Sequence, residues 1–272
     1  MAESTSDPAI RGLTAEQVES FNANGFLGPF DLYAEQEAPL VWSQAMTEMV
    51  TSANKPQDST TITCDRHLDC DTLSRDIAQP AIVHKLRSLM GDDIMCWKTH
   101  IFEKEPGTSG TGWHQVEAFP AYTEESTAAT QELFVWTAFS ETDKEHGCLR
   151  FLPGSHKQSY NVENKSHNGY DYAELKLDSD WDPNSHEIVD LELKAGQFVI
   201  FLATCVHASH ANTSAARRVG LASRYVSPSV RVYGDSIDLD HHGCVMVSGE
   251  DRYGHNRMYR ENLNGFPFLK VE

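Results

Sequence analysis

Three side chains of this 272-residue chain have the type and spacing to do metal chemistry: His114 in "GWHQVEAF", His207 at the end of "AGQFVIFLATCVH", and Arg218 in "ARRVGLASRYVSP". Two neutral imidazoles on a rigid sheet supply two-thirds of a facial iron triad. The carboxylate that would complete it belongs two places after His114, where Val116 stands instead, and Glu117 comes one residue late. On a regular strand, residues i and i+3 point to opposite faces, so Glu117 reaches a metal held by His114 only through a bulge or a strand end. It is therefore the candidate third ligand on that condition, and otherwise an outer-face polar group. Arg218 follows His207 by eleven residues, and a guanidinium on the neighbouring strand can grip a carboxylate in bidentate fashion. That suits 2-oxoglutarate, a dianion that chelates iron at one end and needs a cation at the other. Arg217 and Arg224 are the neighbouring cations, and the plain reading of all three is packing on an edge strand.

Such residues need a rigid scaffold, and the texture of the chain predicts one. "LTAEQVESFNANG" reads as a short helix capped by Thr14, with Gln17 at the capping-box position and Gly25 at its end. Residues 38–53 and 79–91 carry two further amphipathic helical patterns, the second closed by Gly91. From residue 92 onward short apolar runs alternate with turn residues, which predicts a sandwich or barrel rather than a parallel sheet interleaved with helices. Residues 155–186 read as a long insertion between strands, a lid or binding element. The expected organisation is a loose tail over 1–12 and one domain over 13–272, with a helical part 13–91, a β core 92–234 and a C-terminal extension 235–272. "HHG" and the C-terminal "GHNRMYRENLNGF" read as polar surface or tail.

Composition narrows the function. The formal charge is -18, from 22 Lys and Arg against 40 Asp and Glu, which argues against nucleic acid and anionic membrane as partners. The six cysteines form no CxxC pair, and the N-terminal residues show no apolar leader, so the expectation is a cytoplasmic protein with reduced thiols. "DRHLDCD" (65–71) is dense in Asp and His; it reads as an exposed loop near the site mouth, with a second metal site as the alternative.

Taken together, "WHQ", "VWTAF", "GCLRFLPGSH", "AGQFVIF", "HAS" and "RVGLASRYVSP" resemble the phytanoyl-CoA dioxygenase superfamily of Fe(II)/2-oxoglutarate oxygenases. "DRHLDCD", "CWKTHIF" and "GYDYAELKLDSDWDP" resemble its aliphatic halogenase branch, and the likeness runs from about residue 13 to 234. The resemblance implies a mainly β fold with flanking helices, a double-stranded β-helix or jelly roll of cupin type. It implies His114 and His207 as iron ligands, Arg218 as anchor of the distal carboxylate of 2-oxoglutarate, and Thr99 and Trp136 as lining of the cosubstrate pocket. Val116, Phe134 and Arg224 would enclose the open coordination face. The implied cofactors are Fe(II), 2-oxoglutarate and O2, with chloride where a halide occupies the vacated position.

Two departures from the branch matter. Val116 is bulkier than its usual Ala or Gly, and Phe134 replaces a smaller hydroxylic residue. Three outcomes follow: chlorination of an aliphatic carbon; hydroxylation, desaturation or cyclisation with water or Glu117 completing the iron shell; or a binding relative without turnover. The substrate is a small molecule, free or tethered to a carrier protein. Carriers are usually acidic and would meet repulsion here, which favours the free form.

Overall fold

The computed structural model describes residues 11–56, 63–116, 132–158, 160, 162–167, 170–175, 187–232 and 243–272. The first helix, α1 (Ala15–Asn24), begins and ends as its sequence predicts: Thr14 and Gln17 exchange a reciprocal capping box, and Gly25 closes the helix in the left-handed region at φ 83. α2 (Ala38–Thr51) and α4 (Pro80–Met90) coincide with the other two helical patterns, each with proline in its first turn. A short α3 (Asp71–Asp76) lies between them.

The strands in chain order are β1 (Phe26–Asp31), β2 (Ile94–Lys104), β3 (Thr111–His114), β4 (Leu133–Ala138), β5 (Leu149–Phe151), β6 (Val162–His167), β7 (Tyr170–Leu175), β8 (Val189–Leu191), β9 (Gln197–Leu202), β10 (His207–Ser209), β11 (Arg218–Val226), β12 (Cys244–Ser248) and β13 (Met258–Tyr259). Among the described residues they form two sheets, of order β1-β9-β4-β11-β2-β12-β13 and β6-β7-β3-β10-β5-β8. Apart from β6 with β7 and β12 with β13, neighbours in each sheet are not consecutive in sequence because the chain keeps crossing between the sheets, which is the jelly-roll arrangement. Every strand pairing is antiparallel except β12 with β13.

The larger sheet draws on all three expected parts of the chain. β1 comes from the helical N-terminal part and sits at the sheet edge, where Pro29 costs no ladder hydrogen bond. β12 comes from the C-terminal extension and pairs with β2; Cys244, Val245 and Val247 on it are fully buried. The C-terminal segment is mostly exposed, as a polar surface stretch should be, but it is not a loose tail: Val271 pairs with Ser248 and Leu263 donates to the Leu68 carbonyl.

The insertion expected over 155–186 is not simply a loop. Val162–His167 and Tyr170–Leu175 form an antiparallel hairpin that extends the smaller sheet beside β3. "DRHLDCD" is likewise not an exposed loop: Arg66, His67, Leu68, Asp69 and Cys70 are buried, and Arg66 holds Asp69 through two hydrogen bonds of 2.8 Å. Among the described residues no group of three His, Cys, Asp or Glu there or elsewhere is placed to hold a metal.

The core fills the space between the sheets and the space under the helices. Between the sheets, Phe26 stacks on Phe151 at 4.5 Å, and Phe151 meets Phe201 edge-on at 5.2 Å. Under the helices, Trp42, Ala45 and Leu73 pack on Ile101, Phe139, Val219 and Leu221. The second set fixes which face of β2 and β11 looks outward. No helix among the described residues is long and apolar enough to cross a membrane.

Candidate active site

His207 and His114 are register partners in the β10–β3 ladder, so strand pairing alone brings these sequence-distant imidazoles together. Their ring centroids are 4.1 Å apart. Each ring is oriented through Nδ1: that of His114 lies 2.9 Å from the Gly112 carbonyl and that of His207 lies 2.8 Å from the Cys205 carbonyl. A carbonyl accepts only, so Nδ1 carries the proton in both rings and Nε2 is left as the lone-pair nitrogen. Burial pushes both imidazoles below their ordinary pKa, His207 well below; His114 adds to the lowering of His207, and the Arg224 charge lowers both. Two neutral, pre-oriented imidazoles are a donor set that fits a divalent metal.

Val116 occupies the place of the missing carboxylate. Its amide donates to the Ala203 carbonyl at 2.9 Å and its side chain packs against the main core cluster. Glu117 lies outside the described residues.

The opposite wall is the inner face of the larger sheet. One row across it runs Phe201, Phe134, Arg224, Lys98 from β9 to β2. Phe201 touches the His207 ring at 4.9 Å, and Phe134 stacks on Phe201 at 5.0 Å and 18°. Arg224 lies over both the Phe134 ring, 4.6 Å away, and the Trp97 ring, 5.6 Å away. Phe134 and Arg224 therefore share this wall, and Val116 packs on the core cluster that contains Phe134.

At the other end Arg218 is 3 % exposed, lies 5.0 Å above the Trp136 ring, and donates to the Gly147 carbonyl at 3.0 Å. Its Nε is sealed from solvent and makes no hydrogen bond, and burial brings its pKa down to about 10. A buried guanidinium with no carboxylate beside it among the described residues is costly as it stands and fits an anionic ligand. Its register partner Lys104 donates to the carbonyls of Ser109 and His210, with its pKa pushed to about 7 by burial and then by Arg218. Gly220 lets Trp136 lie across β11: a Cβ there would come within 1.9 Å of the indole.

Thr99 is not in this cavity. It pairs with Ser223, on the face of β2 turned to the helices, and its hydroxyl meets Nδ1 of the fully buried His67 at 2.8 Å. The reason is strand alternation: Arg218, Gly220, Ala222 and Arg224 share the inner face with their partners Lys104, Phe102, His100 and Lys98, and Thr99 falls between two of these. The inner face carries His100 beside it, opposite Ala222. Sequence reasoning also missed Lys98, Lys104 and Glu132. The signal for the two lysines is the even spacing in "KTHIFEK", which puts Lys98, His100 and Lys104 on one side of a strand. Glu132 is 2 % exposed and accepts the Trp97 indole N–H at 3.1 Å; nothing local in the sequence marks it as buried.

A family model described as phytanoyl-CoA dioxygenase matches residues 21–220. A dioxygenase of Epichloe uncinata, lolE1, is 28% identical over 230 residues, covering 79% of this chain and 83% of its own. A probable alpha-ketoglutarate-dependent hypophosphite dioxygenase of Stutzerimonas stutzeri is 28% identical over 194 residues, covering 67% of this chain and 63% of its own. Among solved structures, CytC3 with Fe(II) and alpha-ketoglutarate superposes with a TM-score of 0.74 at 29% identity, covering 96% of this chain and 97% of that one.

Proposed function

The chain belongs to the phytanoyl-CoA dioxygenase family of Fe(II)/2-oxoglutarate oxygenases, and from that premise we propose that it chlorinates an unactivated aliphatic carbon. The observation that carries this reading is Val116. The second residue after His114 offers no oxygen, and no third His, Cys, Asp or Glu among the described residues completes a metal group with the two imidazoles.

His114 and His207 would hold the iron through the other ring nitrogen, since the Gly112 and Cys205 carbonyls fix both rings through Nδ1. Arg218 receives the distal carboxylate of 2-oxoglutarate over the Trp136 ring. The bound iron and 2-oxoglutarate supply an oxidant from O2, and the balance is substrate R–H, chloride, a proton, O2 and 2-oxoglutarate giving R–Cl, succinate, CO2 and water. The chain's part is to leave the position beside Val116 open to halide, to keep water out with Phe134, Phe201 and Phe151, and to add the Arg224 charge on that side. The substrate is a free small molecule, because an acidic carrier would be repelled by a chain of net charge -18.

Hydroxylation by the same centre is the second reading, favoured by the bulk of Phe134, whose ring fills the wall where a halide would need room. Anaerobic addition of Fe(II) and 2-oxoglutarate should produce a weak visible charge-transfer band that shifts when chloride is added. A band indifferent to chloride leaves hydroxylation as the outcome; loss of the band in His207→Ala ties it to this site.

A further inference from the structure

The row Phe201, Phe134, Arg224, Lys98 places two cations side by side on the larger sheet. Arg224 and Lys98 are register partners on β11 and β2, and neither makes an ion pair with a described carboxylate. Arg224 is clamped between the Phe134 and Trp97 rings, and its Nε is buried without a hydrogen bond. Lys98 Nζ lies 5.9 Å from the centre of the Trp97 ring. The only described carboxylate set among them is Glu132, and it takes the Trp97 indole N–H at 3.1 Å rather than either cation. Among the described residues, two cations thus stand beside a single carboxylate on this wall, in a protein with 22 basic and 40 acidic residues. Half-buried cations without an ion-pair partner are available to pair with an anionic ligand.

The 2-oxoglutarate site does not account for this charge. Arg218 and Arg224 are six residues apart on one strand, a separation of ~20 Å between their Cα atoms. A five-carbon cosubstrate anchored at Arg218 ends at the imidazoles. From Phe201, which touches His207, to Arg224 is two strand spacings, ~10 Å across the sheet. The surface between is the apolar Phe134 ring.

Building on the oxygenase reading above, we propose that the substrate is an aliphatic carboxylate of medium length. Its acid group is held by Arg224 and Lys98, and its chain lies over Phe134 toward His114 and His207. Glu132 is a positioning residue: it fixes the Trp97 ring under Arg224 by accepting the indole N–H.

The test is calorimetric titration of the full chain, with zinc in place of iron so that nothing turns over, using octanoate and octanamide with and without 2-oxoglutarate. Octanoate should bind at least tenfold more tightly than octanamide. Arg224→Gln and Lys98→Met should each weaken octanoate at least tenfold while changing 2-oxoglutarate affinity less than twofold. Equal binding of acid and amide overturns the proposal in the unaltered protein, whatever the variants do. So does an Arg224→Gln variant that weakens 2-oxoglutarate and leaves octanoate unchanged. If the parent fails to bind 2-oxoglutarate, the oxygenase reading falls, while the acid and amide titrations without it still decide the substrate class.

Discussion

The two faces of the β2–β11 ribbon are built from alternate residues of the same two strands, yet they carry opposite chemistry. The outer face presents Thr99, Ile101, Val219, Leu221, Ser223 and Tyr225 to the helices, and its polar groups are satisfied internally, as where the Tyr225 hydroxyl donates to the Ile77 carbonyl at 2.9 Å. The inner face presents Lys98, His100, Lys104, Arg218 and Arg224, and on it the Nε atoms of both arginines are buried without hydrogen bonds. An acidic chain that gathers four of its cations on one side of one ribbon has arranged that side for anions. The helices thus stabilise the sheet from outside, while the inner face carries the cations that the proposed cosubstrate and substrate would use.

On that division, inner-face changes should be read in cofactor and substrate, and outer-face changes in stability. The largest effect is expected from His207→Ala, which removes one of the two imidazoles proposed to hold iron and should abolish succinate release with the fold retained by circular dichroism. Arg218→Met removes the partner of a buried carboxylate; at about 2–5 kcal/mol for such a truncation, the KM for 2-oxoglutarate should rise by ~100-fold.

On the outer side, Asp76 is fully buried, and burial raises its pKa to about 7 from the ordinary 3.8, with only the Tyr33 hydroxyl at 2.8 Å opposing the rise. A carboxyl with a raised folded-state pKa contributes its full stability below its unfolded pKa and loses it as pH rises to about 7. The unfolding free energy from denaturant titrations should therefore fall across that window by a few kcal/mol, at ~1.4 kcal/mol for each tenfold change in proton affinity. In Asp76→Asn that slope should flatten while the KM for 2-oxoglutarate stays unchanged.

Gly220→Ala should cost ~1–3 kcal/mol, because the indole of Trp136 must move, and should also raise the KM for 2-oxoglutarate. Thr99→Val gives the smallest effect. It removes the 2.8 Å bond to His67, costs ~1 kcal/mol, and should leave 2-oxoglutarate binding as it was. A Thr99→Val variant that lost 2-oxoglutarate instead would erase the distinction between the faces.

The helix ends are legible in the sequence because capping is local: Thr14, Gln17 and Gly25 interact within one helix. The imidazole pair is legible from its context, and Trp136 beside Arg218 from the resemblance. What escapes depends on register. Whether Thr99 or its neighbours face the cavity turns on a single residue of alternation, and the ladder slips between Arg224 and Tyr225, against Lys98 and Cys96, through a bulge at Trp97 that no local motif announces. β1 escapes because "GFLGPFD" looks like a helix end followed by a turn, and only pairing with β9 makes it a strand. Glu132 escapes because a lone acidic residue before an apolar run reads as surface, whereas here it is enclosed with Trp97.

The proposed chemistry turns on two histidines holding the metal and on halide taking the place vacated at Val116. Iron-edge X-ray absorption of the anaerobic Fe(II)–2-oxoglutarate complex, with bromide in place of chloride, is the decisive measurement. A heavy bromine scatterer is expected at bonding distance from the iron, and should be lost in Val116→Asp. A set of light-atom neighbours alone, unchanged by bromide, would overturn the halide assignment.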